Sequence, residues 1–361
     1  MRSCFKGSTY KNIKKKKIKI ILISLIFLIV MSGMGMCIFL YLYLFRSNVI
    51  TGDDKKDHTY IYISTGSGLY DVKKILSESV ILKSNVTFQW AAQLKRYDQK
   101  VKPGKYKIIN GMSNNSLINL LRSGRQEPVT VIFHNIRTRE ELAGKISRQI
   151  EADSLSIVNL LRSDKYMSHF GINSMNSLLL FIPNTYEFYW NTSAEMFINR
   201  MSQENRKFWN DTRMEKCRTA GLTWQQVAIL ASIVEKETYR DNEKPLIAGV
   251  YMNRLLKGWP LQADPTIIFA WNDYSIKRVL NMHIRIISPF NTYSHTGLPP
   301  GPICLPSISS IDAVLNFKRH NYMYFCAKDD LSGYHVFATT LAEHNRNAKK
   351  YQSAIKKLNL Q

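Results

Sequence analysis

Two glutamates close one apolar helix, and that segment is where the residue types first suggest chemistry. Thr223-Trp224-Gln225-Gln226 has the form of a capping box, and Val227 to Val234 behind it is apolar almost all round apart from Ser232. The pattern predicts a helix buried inside a domain, with Glu235-Lys236-Glu237-Thr238 as its last turn. Glu235 shares a helical face with Ala228, Ala231 and Ser232, small residues that leave room above its carboxyl group. Apolar surroundings and the negative C-terminal end of a helix both disfavour an ionised carboxylate, so the pKa of Glu235 is expected to be raised. An acid that stays protonated near neutrality is what cleavage of a glycosidic bond requires. The competing reading is a helix-ending carboxylate, paired with Arg or Lys. Glu237, two residues on, is expected to face away and to be solvated or paired with Lys236 or Arg240.

Other polar candidates follow. Gln262, Asp264, Thr266, Asn291 and Tyr293 fall in loops punctuated by Pro and Gly, where substrate-contacting groups gather. Asp264-Pro265-Thr266 reads equally as the cap of a helix running through Trp271, and Asn291 as the holder of a turn. Asp264 is the rival carboxylate, in a positioning or electrostatic role. His335 and His344 are expected to make structural hydrogen bonds. No His, Cys or carboxylate spacing suits a metal, and no cofactor is implied. Of five cysteines, Cys4 and Cys37 precede the folded part, and Cys217, Cys304 and Cys326 read as small buried residues with at most one bridge.

Elements that could position these residues are legible around them. Tyr60 to Ile63 is strand-like, Gly66-Ser67-Gly68 turns into Val72, Ile75 and Leu76 at helical spacing, and Phe88 to Leu94 suggests a second helix. Lys102-Pro103-Gly104 turns into Tyr106-Lys107-Ile108, and Ser116 to Arg122 is a helix stopped by Gly124. Residues 59–128 therefore form a small β-α-α-β-α module. Val129 to Phe133 is a β-branched strand, Thr138 to Glu141 caps a helix through Leu142, Ile146 and Ile150, and a larger domain occupies 129–361.

Charge is uneven. The formal net charge of +23 raises the question of nucleic acid, but eight cations crowd into residues 1–19 before any acidic residue. Residues 20–45 are then free of charge for 26 positions, enough to cross roughly 30 Å of hydrocarbon, and end in Tyr41, Tyr43 and Arg46. A cleaved signal peptide would have a shorter core and a small-x-small exit. The expectation is a retained span, N-terminus in the cytoplasm, a polar linker over 46–58, and the remainder outside in the periplasm. Nucleic-acid binding fails on this topology, because the basic run is a juxtamembrane signal.

Several ordered blocks resemble the YceG-like endolytic murein transglycosylases. They are Leu230 to Thr238, Val250-Tyr251-Met252-Asn253-Arg254-Leu255, Leu261-Gln262-Ala263-Asp264-Pro265-Thr266, Pro183-Asn184-Thr185-Tyr186, Ser288 to Tyr293, Thr296 to Ile303, His335-Val336-Phe337 and His344-Asn345. The resemblance covers roughly the last half of the chain. It implies an α+β protein with one N-terminal transmembrane helix in the inner membrane, a LysM-like module and a catalytic domain. It implies a lytic transglycosylase acting on peptidoglycan glycan strands, cutting nascent strands internally near the membrane and terminating their elongation. In it the glutamate of the Glu-Lys-Glu-Thr block is catalytic, which maps onto Glu235, and Tyr186 joins the substrate-binding candidates. Cell-wall synthases or division proteins would be its partners. Leu178-Leu179 and Asn184 depart from the family pattern, which implies altered groove contacts rather than lost chemistry. A lytic transglycosylase needs one carboxyl group, since the nucleophile is the sugar's own C6 hydroxyl, whereas two-carboxylate glycosidases use a pair. A non-catalytic glycan-binding scaffold of the cell-wall machinery is the alternative.

Overall fold

In a computed structural model of the chain, residues 6–51 and 57–358 are described. The first five residues of the expected tail, positions 52–56 of the expected linker and the last three residues of the chain lie outside them. The chain divides into two compact units, one of residues 1–128 with 189–191 and one of residues 129–188 with 192–361.

The first unit opens with helix α1 (Lys6–Phe45), whose stretch Lys15–Phe45 is long and apolar enough to cross a membrane and buries none of its side chains in protein. The polar run after it is not linker throughout: Val49–Thr51 is strand β1. Then follow β2 (His58–Ile63), α2 (Leu69–Ser79), β3 (Val80–Leu82), α3 (Asn85–Leu94), β4 (Gly104–Ile109) and α4 (Asn114–Ser123). Strand β1 pairs antiparallel with β3, and β2 with β4 from His58↔Ile109 to Ile63↔Gly104. Period-two alternation in β2 and β4 sends Ile61, Ile63, Tyr106 and Ile108 into a core with Val72, Leu76, Phe88 and Leu117. Gly124, at φ 74°, ends α4 in the left-handed conformation that a Cβ would resist. The β-α-α-β-α order expected from sequence is present. The short β1 and β3 pair is not legible in the sequence, because three-residue strands carry no periodic signal.

The second unit is α+β, with most of its strands short. Its elements are β5 (Pro128–Phe133), α5 (Arg139–Ile146), α6 (Ser154–Arg162), α7 (Asp164–Met167), β6 (Asn184–Tyr189), α8 (Ala194–Phe208), α9 (Asp211–Ala220), α10 (Trp224–Glu237), α11 (Lys244–Leu256), α12 (Asp264–Trp271), α13 (Ile308–Leu315), β7 (Tyr324–Ala327), β8 (His335–Ala338) and α14 (Leu341–Leu358). Strand β5 pairs with β6 and β7 with β8. One core gathers around Phe133, Phe181 and Phe197, and a second around α10, α11 and α13.

Helix α10 is the axis of the second core. Thr223 and Gln226 make the reciprocal capping-box bonds read from sequence, at 3.2 and 2.8 Å, and every residue from Val227 to Val234 is buried. Burying an all-apolar surface on every side commits the helix to the interior and fixes its last turn relative to α11 and α13. A side chain at Gly249 in α11 would run into the Lys318 carbonyl, so that helix packs against the chain at a distance only glycine permits.

Candidate active site

The last turn of α10 places its two glutamates in opposite surroundings. Residues two apart on a helix point about 200° apart, so they cannot share an environment. The space expected above Glu235 is filled. The chain at 303–305 packs there, with Ile303 N donating to Ser232 Oγ at 3.1 Å and Ile303, Cys304 and Leu305 all buried. Glu235 Oε2 accepts from Ser307 Oγ, from Ser310 Oγ at 2.5 Å, from Ser307 N at 3.3 Å and from Lys244 Nζ at 3.4 Å. Burial alone would raise the pKa of Glu235. The hydroxyls of Ser307 and Ser310, the Lys244 ammonium and the Ser307 amide outweigh it and hold the carboxyl below its ordinary value. This reverses the raised pKa expected from sequence. Glu235 ends one helix but faces the N-terminus of another, since Ser307 caps α13 and the positive end of that helix dipole favours the anion. Lys244 is itself buried and also pairs with Asp241 at 2.8 Å.

Glu237 does not face bulk solvent or pair with Lys236 or Arg240, as the spacing had suggested. It lines an open polar cavity of about 450 Å³, together with Arg254, Gln262, Asp264, Tyr293 and His335. That volume lies within the usual range of small-ligand sites. Tyr251 OH, fully buried, donates to Glu237 Oε1. Burial pushes the Glu237 carboxyl up to about 7, and the nearby Asp264 carboxylate adds to the rise, while Tyr251 and Arg254 hold it back. A carboxylic acid titrating near 7 and facing a cavity is suited to donate a proton and take one back.

The supporting residues come from distant parts of the chain. Asp264 is the first residue of α12 and accepts from Tyr293 OH; burial raises its pKa, and that hydrogen bond lowers it. Arg254, buried on α11, is spent on backbone: its Nε donates to Met323 O at 2.9 Å and its Nη1 to Leu261 O. These bonds fix the chain just before Gln262, which holds φ 49°, an uncommon conformation for a residue with a side chain. His335 Nδ1 lies 3.0 Å from Glu243 Oε2, and the His335 amide donates to Glu243 Oε1 at 2.7 Å. His344 also lines the cavity, and burial with the nearby Arg254 charge lowers its pKa.

Three of the six expected substrate-contacting residues are therefore at the cavity: Gln262, Asp264 and Tyr293. The other three do not line it. Thr266 is fully buried, bonding Ala263 O at 2.7 Å and Thr292 Oγ1 at 2.8 Å. Asn291, also buried, donates to Ile284 O and Ile286 O at 2.8 Å and accepts from Tyr293 N at 3.0 Å, which shapes the loop carrying Tyr293. Tyr186 stacks on Phe133 at 5.6 Å and donates to Ile182 O at 2.7 Å. Leu178 and Leu179, the departures from the family pattern, are buried in core, and neither they nor Asn184 line the cavity. Among the described residues no group of His, Cys, Asp and Glu could hold a metal ion, and Cys217 and Cys304 are buried and unbridged.

An α+β unit that turns a carboxylic acid of near-neutral pKa, a second carboxylate and a tyrosine toward one polar cavity belongs to the class of proteins equipped for general acid and base chemistry. The chain matches the YceG-like family over residues 61–350, and it belongs to that family. It is 30% identical over 321 residues to an endolytic murein transglycosylase of Bacillus subtilis, covering 83% of this chain and 87% of that protein. It is 28% identical over 333 residues to an endolytic murein transglycosylase of Streptococcus pneumoniae, covering 82% of this chain but 59% of the length of that relative. The crystal structure of a YceG-like protein from Listeria monocytogenes shares the fold, with a TM-score of 0.54 at 23% identity, over 81% of this chain and 99% of that one.

Proposed function

We propose that the protein is a lytic transglycosylase that cuts peptidoglycan glycan strands internally, with Glu237 rather than Glu235 as its acid. The observation that carries the assignment is the contrast in the last turn of α10. Glu235 is anionic and its Oε2 is fully engaged, whereas Glu237 is held near pKa 7 at the wall of a cavity. Family membership and the names of its relatives support the substrate class.

The reaction would proceed at one carboxyl group. The Glu237 O–H transfers its proton to the oxygen bridging MurNAc and GlcNAc, and the bond from that oxygen to C1 of MurNAc breaks. Positive charge then develops at C1 and the ring oxygen. Asp264, kept in place by Tyr293, offers negative charge to that oxocarbenium-like centre. Glu237, now a carboxylate, takes the proton from the C6 hydroxyl of the same sugar. The freed oxygen attacks C1 and closes a 1,6-anhydro ring. The proton lent to the leaving group is thereby replaced, and no water is consumed. Tyr251 orients the Glu237 carboxyl throughout.

Around that chemistry, α1 would serve as a single-pass anchor in the plasma membrane with its N-terminus inside, because the cations precede it. The β2-α2-α3-β4 unit would be a LysM-like module for glycan, a reading supported by its antiparallel pair flanked by two helices. Domain limits of 59–128 and 129–361 accompany that reading. Such an anchor keeps the enzyme near newly made, membrane-linked strands, where cutting would end their elongation alongside cell-wall synthases or division proteins.

The test is to incubate the full-length chain in detergent with purified peptidoglycan and analyse the ends by mass spectrometry. Strands ending in 1,6-anhydroMurNAc are expected. Reducing ends would make the enzyme a hydrolase, and no products where a control enzyme cuts would favour the scaffold.

A further inference from the structure

A second cavity, of about 470 Å³, lies within the first unit where α1 ends. Its wall is the last apolar stretch of α1, Phe39, Leu42 and Tyr43, with Phe39 and Tyr43 ring centroids 4.4 Å apart. Its floor is polar and built. Asn48 Nδ2 donates to Asn114 Oδ1 at 2.7 Å, Asn114 Nδ2 donates to Tyr43 O at 3.0 Å, and Ser84 N donates to Asn48 Oδ1 at 2.8 Å. Both asparagines are buried. These bonds tie the end of α1 to the starts of α3 and α4. Arg46 and Lys83 are the charged residues of the lining, and Lys83 Nζ donates to Ser47 Oγ at 3.2 Å. Among the described residues neither cation has an ion-pair partner.

We propose that this cavity binds the phosphate of an anionic membrane phospholipid, with the headgroup between Arg46 and Lys83 and an acyl chain along Phe39 and Leu42. The apolar stretch of α1 ends at Phe45, so the cavity stands where hydrocarbon gives way to headgroups. There an Arg and a Lys with no ion-pair partner among the described residues meet phosphate at the depth where lipids carry it, and the apolar wall continues into the region of their chains. A soluble phosphate would use only the cationic end, whereas a lipid uses both. The bound lipid would brace the junction between the span and the first unit. The proposal rests on α1 crossing the membrane and is independent of the chemistry assigned to Glu237.

The test uses the full-length chain in nanodiscs of mixed phosphatidylglycerol and phosphatidylcholine, with lipids retained after gentle release counted by native mass spectrometry. Wild type is expected to keep phosphatidylglycerol selectively. Arg46→Gln and Lys83→Gln should each lower that retention roughly fivefold, as loss of one membrane-facing cation predicts. Lys74→Gln, on an exposed face of α2 outside the cavity, should leave it unchanged. Equal retention of the two lipids, or selectivity that survives in the double variant, would overturn the proposal. So would displacement of the lipid by inorganic phosphate, which would mark a site for free anions. Thermal unfolding of both variants at the wild-type midpoint would show that the loss is of binding and not of fold, and a lowered midpoint would pass the decision to the Phe39→Ala variant, whose retention should fall while both cations stay.

Discussion

Glu235 and Glu237 are a single turn of one helix, yet they occupy different electrostatic regions of the molecule. Glu235 lies among donors: two serine hydroxyls, a backbone amide and a buried lysine converge on one oxygen, and the result is a fixed anion. Glu237 is hydrogen-bonded by one tyrosine donor, with the Asp264 carboxylate and the Arg254 charge acting in opposite senses on a buried carboxyl, and the result is a titratable acid. Burial raises a carboxyl pKa in both places. What differs is the supply of donors, and that supply decides which carboxylate is anchored and which is free to exchange a proton.

The largest effect expected is on Glu237→Gln, which removes the exchangeable proton without changing shape. Cleavage should fall by about 10²–10⁴-fold, the usual share of a general acid, with glycan binding kept. Full activity in that variant, with loss in Glu235→Gln, would invert the assignment. Next comes Asp264→Asn. It removes the charge facing the oxocarbenium-like centre and should cost about a hundredfold in turnover. Because Asp264 also raises the Glu237 pKa, the alkaline limb of the pH–rate profile, expected near 7 in the wild type, should move to lower pH in whatever activity remains.

Glu235→Gln tests the other region. Replacing the anion leaves Lys244 buried with Asp241 as its one remaining carboxylate, and unfolding stability should fall by about 2–3 kcal/mol. Turnover per folded molecule should stay within about tenfold of wild type, the loss coming through the position of the α10 terminus. The two carboxylates also predict opposite pH dependence of stability. Glu235 has a lowered folded pKa, so its contribution is present above the ordinary carboxylate value and is lost as pH falls through the lowered one. Glu237 binds its proton more tightly folded than unfolded, so stability declines as pH rises from 4.5 toward about 7, and the decline is complete above that. Melting curves across pH for the two Gln variants should lose the acid and the alkaline component respectively. The smallest effect expected is that of Tyr251→Phe. Its hydroxyl lowers the Glu237 pKa, so the alkaline limb should move upward by a fraction of a pH unit.

Much of the scaffold is legible in the sequence, because its signals are local. The capping box at Thr223, the apolar run to Val234 and the strand-like run Tyr60 to Ile63 each state their geometry within a dozen residues, and the uncharged stretch of α1 does so within 26. Gln262, Asp264 and Tyr293 were also recognisable as polar groups in loops near Pro and Gly. Thr266 and Asn291 carry the same local signature but turn inward to hold those loops, and residue type alone does not distinguish a group that shapes a loop from one that faces a ligand. Tyr186 likewise reads as a site tyrosine and is a half-buried ring packed against the Phe133 core. Arg254 and Tyr251 fall within the Val250 to Leu255 block, yet nothing near them in sequence says that they reach Leu261 and Glu237.

By itself the sequence determined that α10 is buried, that it ends in two glutamates on opposite faces, and that a stretch long and apolar enough to cross a membrane precedes the folded units. Helical period and hydrophobic patterning suffice for that. Which glutamate can exchange a proton near neutrality is set only by the tertiary structure. Ser307, Ser310 and Lys244 close on Glu235, while Tyr251, Asp264 and Arg254 surround Glu237, from positions up to 75 residues away along the chain. A pKa depends on burial and on donors and charges within a few ångströms, and those neighbours exist only once the chain has folded.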